Sequence, residues 1–254
     1  MDVYRTKIVA ANWKMNTDLV EGENLVMEVM NSLPPDLKCK VIIAPPFTHI
    51  SRVKQLTEGS PIMVGAQNCH FEKSGAFTGE VSPLMLKSLG VEYVIVGHSE
   101  RRHLFHETNE IVKLKLNAIL NAGLKAIFCC GEPLDIRQTE TQNIFVRLQL
   151  EESLFHLDRD AFLNVCLAYE PIWAIGTGVT AEAEQVQEMH TYIREQIGMN
   201  YDKIVSEETR IIYGGSIKAE NAKDLFSQED VDGGLVGGAS LSGDTFNEII
   251  KAAC

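Results

Sequence analysis

The sequence lacks the features typical of a membrane protein, a disulfide framework or a nucleic-acid binder. No apolar run approaches the ~18 residues of a membrane-spanning helix. The six cysteines follow no repeating spacing and include no C-x-x-C, which favours reduced thiols in a cytoplasmic protein. Only 23 Lys and Arg residues stand against 35 Asp and Glu residues, and the net charge of −12 disfavours nonspecific binding to nucleic acid.

Common catalytic and cofactor motifs are also missing. The chain has no Walker A sequence, no H-E-x-x-H and no G-x-S-x-G. The run 176–181 fits a relaxed G-x-G-x-x-A pattern, but it does not open directly off a strand. His103 and His106 have helical spacing for two metal ligands without a clear third, so a solvated helix face is favoured. We therefore expect neither a cofactor nor a metal.

The chain does contain a regular alternation of short apolar runs and longer helical segments. Each run is apolar on both faces, which is typical of a buried parallel strand. The predicted strands are Ile8–Asn12, Val41–Pro45, Ile62–Ala66, Tyr93–Val96, Ala126–Cys130, Val165–Tyr169, Arg210–Tyr213 and Gly234–Val236.

Helix signals lie between these runs. Ser82-Pro83 predicts an N-cap followed by proline in the first turn. Thr108 is placed to cap a helix over Asn109–Ala122, which Gly123 would close. The acids that follow Thr180 complement a helix dipole.

Eight strand–helix units occur in about 250 residues, which is the size of a (β/α)8 barrel. Right-handed crossovers would also permit an open doubly wound sheet. The repeat number favours the barrel, and no Pro/Ser-rich linker divides the chain. We therefore predict an α/β fold with one barrel domain over residues 1–254.

Such barrels carry their active sites at the carboxyl ends of the strands. Polar and glycine residues gather at these points of the sequence: Asn12, Trp13 and Lys14 after the first strand, His98 after the fourth, Glu170-Pro171 after the sixth, Gly214-Gly215-Ser216 after the seventh and Gly237-Gly238 after the eighth. Their convergence on one end of the barrel is stronger evidence for an active site there than any single residue is.

Glu170 is a carboxylate placed directly after a buried apolar run. Such a group is costly unless it is paired or used, so a salt-bridged strand-end acid remains an alternative. The apolar loop that follows, residues 171–178, resembles a lid that excludes water, although it could also pack permanently on the barrel. His98 precedes a possible helix start, which would disfavour its imidazolium form.

Lys14 and the glycine pairs point to an anionic ligand. Glycines and Ser216 after the last two strands would offer backbone N–H groups, a common phosphate site in barrels. The simpler interpretations are a surface lysine and tight turns.

Five segments of the chain, taken together, closely resemble one protein family. They are Asn12-Trp13-Lys14-Met15-Asn16, Gly97-His98-Ser99-Glu100-Arg101-Arg102, the run from Tyr169 through Glu170-Pro171-Ile172-Trp173 to Gly178, Tyr213-Gly214-Gly215-Ser216 and Leu235-Val236-Gly237-Gly238-Ala239-Ser240-Leu241. The family is triosephosphate isomerase, and the resemblance covers essentially the whole chain. It implies interconversion of dihydroxyacetone phosphate and D-glyceraldehyde 3-phosphate with no metal or organic cofactor.

The resemblance also implies a role for each matching residue. Glu170 would be the base and His98 the neutral electrophile, while Lys14 would supply charge and Asn12 a hydrogen bond. The substrate and phosphate group would be held by Asn12, Lys14, Gly176, Ser216, Gly237 and Gly238. Ser99, Glu100 and Cys129 would support the site.

The resemblance further implies a homodimer in which the loop Gln67–Gly79, with Thr78, enters the neighbouring subunit. That loop is long for a connection after a strand, which favours a functional role. Two residues depart from the family pattern: Gly234, where a bulkier residue is usual, and Cys130, where an aliphatic one is common. Gly234 is expected to loosen the eighth strand.

Two other functions remain open at this stage. An aldolase would need a Schiff-base lysine inside the barrel, for which only Lys14 is a candidate. A noncatalytic barrel that binds phosphometabolites would bind phosphoglycolate without isomerising a triose phosphate.

Overall fold

The eight apolar runs form a closed barrel of parallel strands whose order around the barrel follows the chain. The computed structural model describes residues 5–176 and 180–254. Its strands are β1 Ile8–Asn12, β2 Lys40–Ala44, β3 Ile62–Ala66, β4 Tyr93–Val96, β5 Lys125–Cys130, β6 Val165–Tyr169, β7 Ile211–Tyr213 and β8 Gly233–Val236. The barrel closes where Ile8 of β1 lies opposite Gly233 of β8. The predicted (β/α)8 fold is confirmed.

Helices surround the barrel and alternate with its strands. They are α1 Leu19–Asn31, α2 Ile50–Leu56, α3 Pro83–Ser88, α4 Ser99–Leu104, α5 Asn109–Asn121, α6 Leu134–Gln138, α7 Gln142–Ser153, α8 Arg159–Phe162, α9 Ala183–Asn200, α10 Lys203–Glu208, α11 Ala219–Phe226 and α12 Gly243–Ala253. Within the described ranges, no helix is both long and apolar enough to cross a membrane.

Successive strand residues alternate between two apolar layers. One layer fills the barrel and the other lies between the barrel and its helices, as the period of two in a strand requires. The inner layer comprises Ile8, Ala10, Ile42, Ala44, Tyr93, Ile95, Ile127, Cys129, Cys166, Ala168, Ile212 and Leu235. Because both faces are covered, each strand is apolar throughout.

Several predicted strand boundaries were wrong by one residue. β2 ends at Ala44 and excludes Pro45, because proline has no N–H to donate to a neighbouring strand. β7 begins at Ile211 rather than Arg210. β5 begins at Lys125, whose N–H donates to Glu92 O at 2.9 Å.

The glycines of β8 permit a close approach between strands. Gly233 has a φ of +120°, and a Cβ there would lie 2.0 Å from Ile8 O. A Cβ on Gly234 would lie 2.3 Å from Ile217 Cδ1, so a neighbouring side chain occupies the space that a larger residue would fill. The side chains around Gly234 are therefore packed too tightly to admit a Cβ without moving.

Most of the predicted helix caps are confirmed. Ser82 accepts a hydrogen bond from Met85 N at 3.3 Å, and Thr108 accepts one from Ile111 N at the same distance. Gly123 follows α5 with a φ of +69°, the left-handed conformation expected of a closing glycine. The helix expected after Thr180 begins at Ala183, with Glu182 as its N-cap.

Candidate active site

The barrel opens at the carboxyl ends of its strands into a cavity of about 260 Å³. It is lined by predicted site residues from four strand ends and from the loop after β6: Asn12, Lys14, His98, Gly176, Ser216, Gly237 and Gly238. Ile175, Gly214, Gly215, Ile217, Lys218, Leu235 and Ala239 complete the lining. Residues scattered over the sequence therefore meet at one mouth of the barrel.

Glu170 lies beside this cavity and is not among its lining residues. Its carboxylate is buried, and Oε2 accepts a hydrogen bond of 2.8 Å from Ser99 N. Oε1 lies 3.0 Å from His98 Nε2 but has no partner of hydrogen-bonding geometry. One carboxylate oxygen is thus anchored and the other is available, next to the imidazole that lines the cavity.

The hydrogen bond that His98 receives decides which of its ring nitrogens can donate. The residue caps α4, and its Nδ1 accepts a hydrogen bond of 3.2 Å from Glu100 N. A nitrogen that accepts cannot carry a proton, so Nε2 is the donor. The Glu100 carboxylate lies 3.6 Å from Nδ1, beyond hydrogen-bonding distance. The donor nitrogen consequently faces Glu170 and the cavity.

Lys14 adopts a left-handed backbone conformation with a φ of +54°. Such a conformation costs about 1–3 kcal/mol in a residue with a side chain, and it persists where neighbours enforce it. Here Lys14 N donates to Asn12 Oδ1 at 3.1 Å, and Gln67 Nε2 donates to Lys14 O at 2.9 Å. Lys14 Nζ lies 2.6 Å from Glu100 Oε1. The backbone contacts thus hold the position of Lys14, and Glu100 orients its ammonium group.

The glycine-rich rim carries the backbone groups predicted to bind phosphate. Gly237 and Gly238 lead into a short 3-10 turn, and Gly176 adopts a φ of +68°. Ser216 N donates to Ala174 O at 3.1 Å. In this conformation, the N–H of Ser216 is paired with the loop after β6, so a phosphate would have to replace that partner.

Cys129 lies inside the barrel and contacts Glu170. Burial is the largest cause that raises the pKa of its thiol well above the ordinary value, and the Glu170 carboxylate raises it further. The thiol is therefore neutral near pH 7. A neutral thiol is a poor nucleophile, because the thiolate is the reactive form.

A buried carboxylate that sequence reasoning missed anchors the loop after β6. Glu132 Oε1 accepts hydrogen bonds from Tyr169 Oη at 3.0 Å and from Trp173 Nε1 at 2.9 Å. Burial raises the pKa of Glu132, and these two donors partly oppose that shift. The only sequence signal was its place after β5, at the same barrel end as the other polar residues.

Two glycines packed around Glu170 help to position it: Gly131, which sequence reasoning missed, and Gly214, which it placed only among the strand-end glycines. A Cβ on Gly131 would lie 1.7 Å from Glu170 O, and one on Gly214 would lie 2.7 Å from Glu170 Cγ. These glycines leave the space in which the Glu170 backbone and side chain sit. Their effect on Glu170 comes from contacts between distant parts of the chain, which a local sequence pattern does not show.

Replacing Gly214 with alanine is expected to displace the Glu170 side chain. A shift of about 1 Å in a reacting group can lower kcat by about 10²-fold. Overpacking also costs about 1–3 kcal/mol in the free energy of unfolding. Steady-state assays and urea denaturation of G214A measure both effects.

Gly198→Ala provides the matched control for that substitution. Gly198 lies in α9, and a Cβ there would meet nothing nearer than Ser206 Oγ at 3.4 Å. If G214A and G198A had equal kcat values, the contact between Gly214 and Glu170 would have no catalytic consequence.

Gly176, the first residue of the run 176–181, lines the cavity, whereas His103 and His106 do not. Among the described residues, no group of three or more His, Cys, Asp or Glu side chains is arranged to hold a metal ion. Thr177, Gly178 and Val179, which belong to the predicted lid and to the glycine pattern, lie outside the described residues.

A closed eight-stranded barrel with ionisable side chains converging at its carboxyl end defines the (β/α)8-barrel class of enzymes. Residues 7–253 match the family model described as Triosephosphate isomerase. The chain belongs to the triosephosphate isomerase family.

Individual relatives resemble the chain over nearly its full length. Triosephosphate isomerase of Flavobacterium psychrophilum is 49% identical over 247 residues, which cover 97% of this chain and 99% of the relative. Triosephosphate isomerase of Porphyromonas gingivalis is 50% identical over 249 residues, with 98% and 99% covered. Triosephosphate isomerase of Phocaeicola vulgatus is 51% identical over 249 residues with the same coverage.

Proposed function

We propose that this chain interconverts dihydroxyacetone phosphate and D-glyceraldehyde 3-phosphate through an enediolate. The observation that carries the proposal is the contact of 3.0 Å between Glu170 Oε1 and His98 Nε2, beside a cavity that also receives the Lys14 ammonium. A base, a hydrogen-bond donor and a cation thus adjoin one small chamber. Membership of the triosephosphate isomerase family supports the assignment.

Glu170 is proposed to take the proton from one carbon and return it to the next. General base catalysis contributes about 10²–10⁴-fold. The carboxylate must leave Ser99 N and turn into the cavity, which is possible because it precedes the loop 171–178 directly. We infer that closure of this loop accompanies the turn and excludes water from the reacting carbons.

The other side chains are proposed to stabilise the enediolate as it forms. His98 Nε2 donates to the carbonyl oxygen and moves protons between the two oxygens. Lys14 supplies positive charge and Asn12 a hydrogen bond, both held in advance by their neighbours. The phosphate is assigned to the backbone groups of Gly176, Ser216, Gly237 and Gly238.

A coupled isomerase assay on the purified protein tests the proposal. We expect turnover in both directions without added metal or organic cofactor, and inhibition by phosphoglycolate. Phosphoglycolate binding without turnover would instead establish a noncatalytic barrel. Borohydride trapping of a substrate adduct on Lys14 would establish an aldolase.

We further propose a homodimer formed through the loop 67–79. Its tip is exposed, including Thr78 and Phe77. Next to Lys14 lies a groove of about 200 Å³ lined in part by Met15 and Phe105, both strongly exposed. Apolar side chains exposed around a groove favour contact with a second copy, whose loop tip would enter it.

Replacing Thr78 with arginine is expected to convert the dimer into a monomer and to lower kcat by about 10²-fold, because the groove beside Lys14 would lose the loop that covers it and the site could shift. Light scattering and steady-state assays measure the two effects. Ser227→Arg, at an exposed site after α11, is the control and should stay dimeric. A wild-type protein that is monomeric and fully active would contradict the proposed assembly.

We also infer a cytoplasmic location. All six cysteines are free thiols, which suits a reducing compartment.

A further inference from the structure

The thiols of Cys39 and Cys254 are in contact although the two residues lie far apart in the chain. Their Sγ atoms lie 3.2 Å apart, although 215 residues separate them in sequence. That distance is only about 1.2 Å longer than the roughly 2.04 Å of a disulfide bond. A disulfide between them would need only a small further approach of the two sulfur atoms.

The two thiols differ in accessibility. Cys254 is exposed and follows α12, whereas Cys39 is buried just before β2. Burial is the largest cause that raises the pKa of Cys39, and the neighbouring Cys254 raises it further. Cys254 is consequently the group that a dissolved reagent meets first. The four remaining cysteines, Cys69, Cys129, Cys130 and Cys166, are all buried.

The surrounding structure holds the pair in register. Asn247 Nδ2 of α12 donates to Val29 O of α1 at 3.2 Å, and Cys39 Sγ lies 3.9 Å from Ile250 O. β2 begins at Lys40, so the pair lies at the amino ends of the strands, opposite the cavity described above. A bond there would fasten the last helix to the second strand without touching the site.

We propose that Cys39 and Cys254 form a reversible disulfide when the protein meets a small disulfide oxidant such as oxidised glutathione. The Cys254 thiolate attacks one sulfur of the oxidant, which forms a mixed disulfide and releases one thiolate. Cys39 Sγ then attacks Cys254 Sγ. Its proton passes to the second departing thiolate, so two protein thiols are oxidised and one small disulfide is reduced to two thiols.

Intact-mass measurement after incubation with oxidised glutathione tests the sequence of steps. The wild-type chain is expected to lose the mass of two hydrogen atoms, and peptide mapping should place the link between Cys39 and Cys254. The Cys39→Ser variant should stop at a single glutathione adduct on Cys254. The Cys254→Ser variant should remain unmodified, because its other thiols are buried.

The same samples test the consequence of the bond. Cross-linking of a long segment stabilises the folded chain, so oxidation should raise the wild-type Tm by about 5–10 °C and leave kcat unchanged. Oxidised Cys254→Ser should show no rise. The proposal is overturned if wild type retains glutathione on Cys254, if it stays unmodified, or if the bond lowers Tm or kcat. The mass, peptide-mapping and Tm readings do not depend on the reaction proposed above.

Discussion

Replacing Glu170 with glutamine is expected to lower kcat by about 10²–10⁴-fold, because the amide cannot accept the substrate proton. The fold should be preserved, since the amide oxygen can still accept the hydrogen bond from Ser99 N. Steady-state kinetics measure the loss. Thermal unfolding and phosphoglycolate titration show whether structure and phosphate binding remain.

Glu170→Asp is the graded control for this prediction. It keeps the carboxylate but withdraws it by roughly 1 Å, which should lower kcat by about 10²-fold. A glutamine variant with turnover near that of wild type would remove Glu170 from the role of base.

Deleting residues 173–176 is expected to lower isomerisation by about 10²–10³-fold, which is the cost of removing one fixed backbone donor. It should also raise the yield of methylglyoxal relative to isomerised product. The shortened loop can no longer seal the cavity, so phosphate is lost from the enediolate in water. Product analysis after complete conversion measures the ratio.

Trp173→Phe is the matched control because it keeps the loop at full length. It removes the donor to Glu132 Oε1 but leaves the glycine end of the loop in place. Its product ratio should rise less than that of the deletion variant, because the full-length loop can still cover the cavity. An unchanged ratio in the deletion variant would show that the loop does not protect the intermediate.

The fold was largely readable from the sequence because a strand buried on both faces must be apolar throughout. The run Val165–Tyr169 was therefore predicted with its correct ends. The errors fell where local chemistry was ambiguous. Pro45 continues the apolar run, but it has no N–H to donate to a neighbouring strand, so β2 ends before it. Gly233 belongs to β8, where Ile8 of β1 lies so close that only glycine fits.

The placement of the candidate site residues around one mouth was also predictable, because parallel strands bring their carboxyl ends together. Their roles stay predictions. The anchoring of Glu170 on Ser99 N, the left-handed turn at Lys14 and the buried Glu132 were not predictable. Each arises from a contact between distant parts of the chain, which no local pattern contains.

The central claim is that Glu170 moves a proton between neighbouring carbons inside the cavity. Its most direct test is to incubate wild-type protein with dihydroxyacetone phosphate in D2O and to follow the carbon-bound hydrogens by NMR. The account predicts isomerised product, with deuterium on the receiving carbon to the extent that the proton held by Glu170 exchanges with solvent before it is returned. Unchanged substrate, with all its carbon-bound hydrogens retained, would contradict it.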